Sequence, residues 1–282
     1  MVSAAKSLPS ERAPKPFLKW VGGKRQLLEQ FAPLLPKKYR AYHEPFVGGA
    51  AMFFDLRTQQ PDLPATLSDV NSELVDCYTA IRDRVDDVFT ALKCHKHDSD
   101  HYYEVRAIKP SALSLPARAA RTIFLNKCGF NGLFRVNKSG QFNVPFGRYD
   151  KPNFLDEPNL RACADALRGT TIVHGDFATV AERAEKGDFV YFDPPYVPLS
   201  RTADFTAYIP GGFGEHQQRA LAELFAKLAK DGVHVMLSNS DTFLVRELYG
   251  AFDIKTVSAS RSVNSKSTGR GKTNEVLVRS WK

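Results

Sequence analysis

No apolar run of about 18 residues interrupts this 282-residue sequence, so nothing in it reads as a membrane span. No signal peptide opens it and no repeat recurs along it. None of its four cysteines, Cys77, Cys94, Cys128 and Cys163, stands in a Cys-x-x-Cys pair. That pattern predicts reduced thiols and a cytoplasmic protein. Cys94-His95-Lys96-His97 has no second set of ligands in the chain, so it reads as a solvated turn and no metal is expected. Gly22-Gly23-Lys24 is not a phosphate loop, because the required glycine is Leu18 and the required hydroxyl residue is Arg25. The full Gly-x-Gly-x-x-Gly signature is also missing, which argues against NAD and a pyrophosphate seat. Acidic residues fall short of basic ones, leaving a formal net charge of +8. Such a balance predicts a polyanionic partner, nucleic acid foremost.

What is present is organised around Asp193-Pro194-Pro195-Tyr196. The preceding Phe189-Val190-Tyr191-Phe192 reads as a buried strand. Two prolines without N–H donors stop it and turn the backbone rigidly out of the sheet. The stretch offers a carboxylate, backbone carbonyls outside any ladder, and an aromatic face. That set suits a planar amine, although a proline turn with a solvated aspartate uses the same residues. Upstream, Tyr39 to Glu44 reads as the first strand, Glu44-Pro45-Phe46-Val47-Gly48-Gly49-Ala50 as a glycine-rich turn, and Ala51 to Thr58 as a helix. Strand, glycine turn and helix open a nucleotide-binding half-sheet. Asp69 ends a second strand, Ala65 to Leu67, and lies at the spacing where an acid meets ribose hydroxyls; it equally fits a cap for a helix from Glu73 to Arg82. Phe17-Leu18-Lys19-Trp20-Val21-Gly22-Gly23-Lys24 leads into a helix from Arg25 to Leu34.

Further strands are expected at Thr170 to His174, ending in Gly175-Asp176-Phe177, and at Val233 to Leu237, followed by a helix capped by Asp241. Glu215 to Lys230 reads as an amphipathic helix. Phe252 to Ala259 and Glu275 to Trp281 read as a terminal antiparallel hairpin around a basic loop, Arg261 to Lys272, and Thr202 to Gly214 as a lid over the site. The expected fold is α/β, a Rossmann-like doubly wound sheet. Residues 1–15 form a disordered tail, 16–70 and 168–282 the catalytic domain, and 71–167 a mostly helical insertion. Arg118 to Lys151 carries Arg118, Arg121, Lys127, Arg135, Lys138, Arg148 and Lys151 against one acid, Asp150, with phenylalanines interleaved. Basic groups seat phosphates, arginine and asparagine read base edges, and exposed apolar wedges enter a base stack. A core hairpin with a solvated basic rim remains the plainer reading of the same stretch.

These parts fit one reaction. An exocyclic amine of adenine or cytosine is a poor nucleophile because its lone pair is delocalised into the ring. Hydrogen bonds to Asp193 and to a Pro194 or Pro195 carbonyl expose that lone pair to an electrophilic methyl group. A base in a duplex must first be flipped out. The ordered set of Phe17 to Lys24, Glu44 to Gly49, Ser68-Asp69-Val70-Asn71, Asn131-Gly132-Leu133-Phe134-Arg135, Phe142 to Tyr149 and Asp193 to Tyr196 resembles the Dam family of DNA adenine-N6 methyltransferases. The likeness spans about Phe17 to Trp281 and implies S-adenosylmethionine as donor and adenine in double-stranded GATC as target.

The resemblance implies that Trp20, Gly22, Gly23, Lys24, Glu44, Phe46, Gly48, Gly49, Asp69, Asp176, Phe177 and Asp193 bind the donor. It implies catalytic roles for Asp193, Pro194, Pro195 and Tyr196. It implies DNA contacts by Lys19, Phe130, Asn131, Leu133, Arg135, Pro145, Arg148 and Tyr149, with Phe130 as a wedge and Arg135 reading guanine. Ala50 departs from a glycine common in the family. A monomer is expected. Methylation of cytosine N4 or RNA, and non-catalytic DNA binding on the same fold, are the alternatives.

Overall fold

The computed structural model describes residues 12–199, 212–260 and 272–282. The expected disordered tail up to residue 11, most of the expected lid, and the basic loop from Arg261 to Gly271 lie outside the described residues. Seven strands form one sheet: β1 Tyr42–Glu44, β2 Ala65–Asp69, β3 Thr171–His174, β4 Phe189–Phe192, β5 His234–Ser240, β6 Asp253–Ser260 and β7 Lys272–Arg279. Their order is β3-β2-β1-β4-β5-β7-β6. The first five are parallel, and β7 runs antiparallel between β5 and β6. This is the Rossmann-like, doubly wound sheet that the sequence predicts, with its order reversing between β1 and β4.

Eight α-helices are described: α1 Leu28–Phe31, α2 Ala51–Gln59, α3 Ser72–Leu92, α4 Ser99–Ala107, α5 Leu115–Cys128, α6 Glu157–Leu167, α7 Glu215–Lys230 and α8 Phe243–Tyr249. Successive strand residues point to opposite faces, which divides the core in two. Phe189, Tyr191, Met236 and Leu277 join the buried residues of α2, α3, α5 and α6. Their neighbours Val190, Phe192, Val235, Leu237, Val276 and Val278 join α7 and α8. β4, Phe189-Val190-Tyr191-Phe192, is therefore apolar throughout, as a strand buried on both faces must be.

Local readings needed correction where a tertiary partner decides. The helix expected from Arg25 to Leu34 is broken into one-turn pieces, with α1 between 3-10 turns at Lys24–Gln26 and Ala32–Leu34; Pro33 has no N–H to continue the ladder. Asn71, not Asp69, caps α3, its side chain accepting from the Glu73 and Leu74 amides at 3.1 and 3.3 Å. Thr242, not Asp241, caps α8; Asp241 pairs with Arg246 instead. His95 is not a solvated turn residue. It stacks on Phe124 at 4.6 Å, and burial lowers its pKa to about 4. Among the described residues no group of three or more His, Cys, Asp or Glu could hold a metal, and no helix is long and apolar enough to cross a membrane.

Candidate active site

The parallel strands β1, β2, β3 and β4 all end at one edge, and the predicted donor and catalytic residues come from those ends, except Trp20, Gly22, Gly23 and Lys24, which precede α1. Ligands of open α/β sheets bind at this edge, where the strand order reverses. Asp193 follows Phe192 out of β4. Its Oδ1 accepts from Lys24 Nζ at 2.7 Å and from Ser238 Oγ at 2.9 Å. Ser238, on β5, also meets the Tyr191 hydroxyl at 2.9 Å. Among the described residues no donor engages Asp193 Oδ2. Lys24 is only 4% exposed, so its ammonium depends on this carboxylate and on the Gly22 carbonyl, 2.5 Å away.

The two proline carbonyls are not equivalent. The Pro195 carbonyl accepts from Gln218 Nε2 at 2.9 Å, and Asn239, hydrogen-bonded to Gln218, takes the Val197 amide at 3.0 Å. Among the described residues the Pro194 carbonyl has no such partner. Tyr196 lies under Lys24, with Nζ 4.7 Å from the ring centroid, and its hydroxyl donates to Glu275 at 2.8 Å. Ser238, Gln218, Asn239 and Glu275 carry no local motif, and sequence reading missed them.

The glycine turn after β1 packs on Trp20. Gly48 has φ +44°, and a Cβ there would come within 2.8 Å of the Trp20 indole. Ala50 adopts the left-handed region at φ 53° with its methyl buried, so the departure from glycine is tolerated at some backbone strain. Gly48→Ala combines that strain with a clash against a ring. It is expected to cost about 1–2 kcal/mol or more, measured by urea unfolding; unchanged stability would contradict this packing.

Asp69 ends β2 and accepts from the Asn71 amide at 2.9 Å and the Gly48 amide at 3.4 Å, tying the two strand ends together. Burial raises it to about 6 against these hydrogen bonds. Asp176 caps a short turn over Phe177–Glu182 through the Ala178 amide, and Phe177 stacks on the half-buried Phe46 at 5.5 Å.

Glu44 is buried beside this cluster. Burial raises its carboxyl to about 8, the Asp193 charge adds to the rise, and the Tyr42 hydroxyl, the Phe53 amide and the Lys24 ammonium oppose it. Between the ordinary value of 4.5 and about 8, the native state holds a proton that the unfolded chain has released. Stability is therefore lost as pH rises through that window. Glu44→Gln removes the titration. Its stability relative to wild type should improve steadily from about pH 5 to about pH 8 and then level off. A difference independent of pH in urea titrations would contradict the assignment.

Apart from Lys19, which precedes α1, the predicted DNA residues lie on the segment between α5 and α6. Phe130 is 49% exposed, and Asn131 has a left-handed backbone at φ 55°. Arg135 is exposed, with Nε held by the Asn143 side chain at 2.7 Å and Nη2 by the Asn143 carbonyl at 3.2 Å. Pro145 and Arg148 are exposed, Leu133 and Tyr149 half-buried, and Lys19 places its ammonium 4.2 Å over the Tyr149 ring. This segment packs directly on the N-terminal one, because Phe134 stacks on Trp20 at 5.4 Å. Three of the seven basic residues read as a nucleic-acid face turn inward. Arg118 pairs with Asp76, Arg121 pairs with Glu73 in the core, and Lys127 is half-buried with its pKa lowered by burial. Arg135, Lys138, Arg148 and Lys151 remain outside.

The family described as D12 class N6 adenine-specific DNA methyltransferase matches residues 20–263. The chain is 41% identical to the type II methyltransferase M1.LlaDCHI of Lactococcus lactis subsp. cremoris, covering 95% of each chain. It is 41% identical to the type II methyltransferase M.MjaIII of Methanocaldococcus jannaschii, over 91% of this chain and 95% of that one. It is 36% identical to the DNA adenine methylase of Salmonella typhi, over 93% of this chain and 94% of that one.

Proposed function

The chain belongs to the D12 class of N6 adenine-specific DNA methyltransferases, and from that membership we propose that it takes its methyl group from S-adenosylmethionine and places it on a flipped-out adenine in double-stranded GATC. The observation that carries this reading is the Lys24–Asp193–Ser238 cluster at the end of β4, beside the Gly48 turn and Asp69.

The residues present fit the donor. A Cβ at Gly48 would meet the Trp20 indole, so the glycine brings the turn's backbone against Trp20, another residue of the proposed seat. Asp69, at the end of the next strand, is an acceptor for ribose hydroxyls. Trp20, Gly22, Gly23, Lys24, Glu44, Phe46, Gly49, Asp176 and Phe177 complete the seat, and Asp193 closes it toward the base. When bound, S-adenosylmethionine supplies an electrophilic methyl on a sulfonium.

The chain's own work is orientation. Asp193 Oδ2 and the Pro194 carbonyl accept the two N–H bonds of the adenine amine, which favours a tetrahedral nitrogen and frees its lone pair. Pro194 and Pro195 hold that carbonyl outside the ladder, and Tyr196 stacks on the extruded ring. Residues 71–167 act as the recognition insertion. Phe130 wedges into the stack, Arg135 reads guanine, and Lys19, Asn131, Leu133, Pro145, Arg148 and Tyr149 fix the duplex. The enzyme acts as a monomer on cytoplasmic DNA. The test is a digest of treated, initially unmethylated plasmid with GATC nucleases of opposite methylation preference. Protection from the one blocked by adenine methylation, and cutting by the one that requires it, is the expected result. Unchanged sensitivity to both, with methyl groups in the DNA, would reject GATC and leave the adenine chemistry standing.

A further inference from the structure

We infer that Glu275 is a positioning residue for methyl transfer, fixing the ring of Tyr196 through its hydroxyl so that the extruded base meets a preset stacking surface. The inference rests on the proposed role of Tyr196.

The topology explains why a residue so near the C-terminus reaches the site. β1 to β5 end at the catalytic edge, whereas β7 runs antiparallel beside β5 and begins there. Glu275 is the cross-strand partner of Ser240, the last residue of β5. The next residues of β7, Val276 to Val278, are buried in both cores, so the position of Glu275 is set by a rigid strand. Its Oε2 accepts from the Tyr196 hydroxyl at 2.8 Å. Burial and the nearby charges of Asp193 and Glu275 raise the Tyr196 phenol well above its ordinary value, so it stays a donor.

The backbone on either side of Tyr196 is held separately, by Gln218 on the Pro195 carbonyl and Asn239 on the Val197 amide. These contacts fix where the residue starts but not the tilt of the ring. Tilt is controlled from the far tip, and the tip is held by Glu275. A base stacked on this ring must present its amine to Asp193 and Pro194 within a few tenths of an ångström, and small misplacements near reacting atoms cost large factors in rate.

The test is a double-mutant cycle on the full chain, with stability checked by urea unfolding. Glu275→Ala and Tyr196→Phe should each lower kcat by roughly three- to tenfold, the size of one hydrogen bond. Binding of S-adenosylhomocysteine should be unchanged, and emission from 2-aminopurine at the target position should rise, because a loosened ring quenches the flipped base less. Glu275→Ala added to Tyr196→Phe should cost less than about twofold more, and Glu275→Gln, which keeps an acceptor, should recover most of the rate. Full additivity in the cycle, or a Glu275→Ala variant with wild-type kcat and 2-aminopurine emission, would overturn the inference. Tyr196→Ala separates the two readings. If it retained full kcat, the stacking role of Tyr196 would fail; if it were impaired while Tyr196→Phe and Glu275→Ala were not, only the role of Glu275 would.

Discussion

Asp193→Asn is expected to lower kcat by more than about tenfold, or ~1.4 kcal/mol of barrier, with DNA and donor saturating, and Asp193→Ala to abolish turnover. The asparagine keeps the outline of the side chain and can still meet Ser238, but it offers the amine a neutral and weaker acceptor. It also removes the counter-charge of Lys24, an ammonium only 4% exposed and 2.7 Å from Oδ1. An unpaired buried charge is costly, so part of the loss should appear as reduced stability in urea. DNA affinity measured without donor should change little, because Asp193 belongs to the catalytic edge and not to the hairpin that carries Arg135. Near-normal turnover by Asp193→Asn would mean that another group accepts the hydrogen bond from the amine.

Arg135→Ala carries the second large expectation. The arginine is exposed, and Asn143 holds it at Nε and at Nη2, so its fork is oriented before DNA arrives. A bidentate arginine–guanine pair contributes roughly 1–3 kcal/mol of discrimination, because the fork matches the two major-groove acceptors. The variant should lose about that much preference for GATC over sites altered at one guanine-bearing pair, with the salt slope of binding falling by about one contact at most. Lys138, exposed on the same hairpin, is the control. Lys138→Ala should weaken binding to all sequences alike. If both variants lost the same factor on GATC and on altered sites, Arg135 would be a phosphate contact.

The parts of the molecule legible in the sequence are those where chain order and spatial order coincide. Phe189 to Phe192 is apolar because it is buried on both faces, and the prolines after it can only leave the sheet. The turn from Glu44 to Ala50 announces itself because a left-handed backbone packed on Trp20 demands glycine. Groups brought in by a neighbouring strand or helix left no trace. Ser238 reaches Asp193 from the neighbouring β5, and Gln218 blocks one of two carbonyls that look alike in sequence. Charge misled in the same way. Arg118 and Arg121 read as a nucleic-acid face until α3 supplies Asp76 and Glu73 as their partners. His95 looked solvated because nothing nearby in the chain shows that Phe124 will stack on it.

The most direct test of the account is the chemical identity of the transferred group's acceptor. The full chain is incubated with S-adenosylmethionine carrying an isotopically labelled methyl and with unmethylated duplex DNA. The DNA is then hydrolysed to nucleosides, which are separated and identified by mass. All label in N6-methyldeoxyadenosine is the result the account predicts. Label in N4-methyldeoxycytidine, or DNA recovered without label under conditions where the protein binds it, would contradict it.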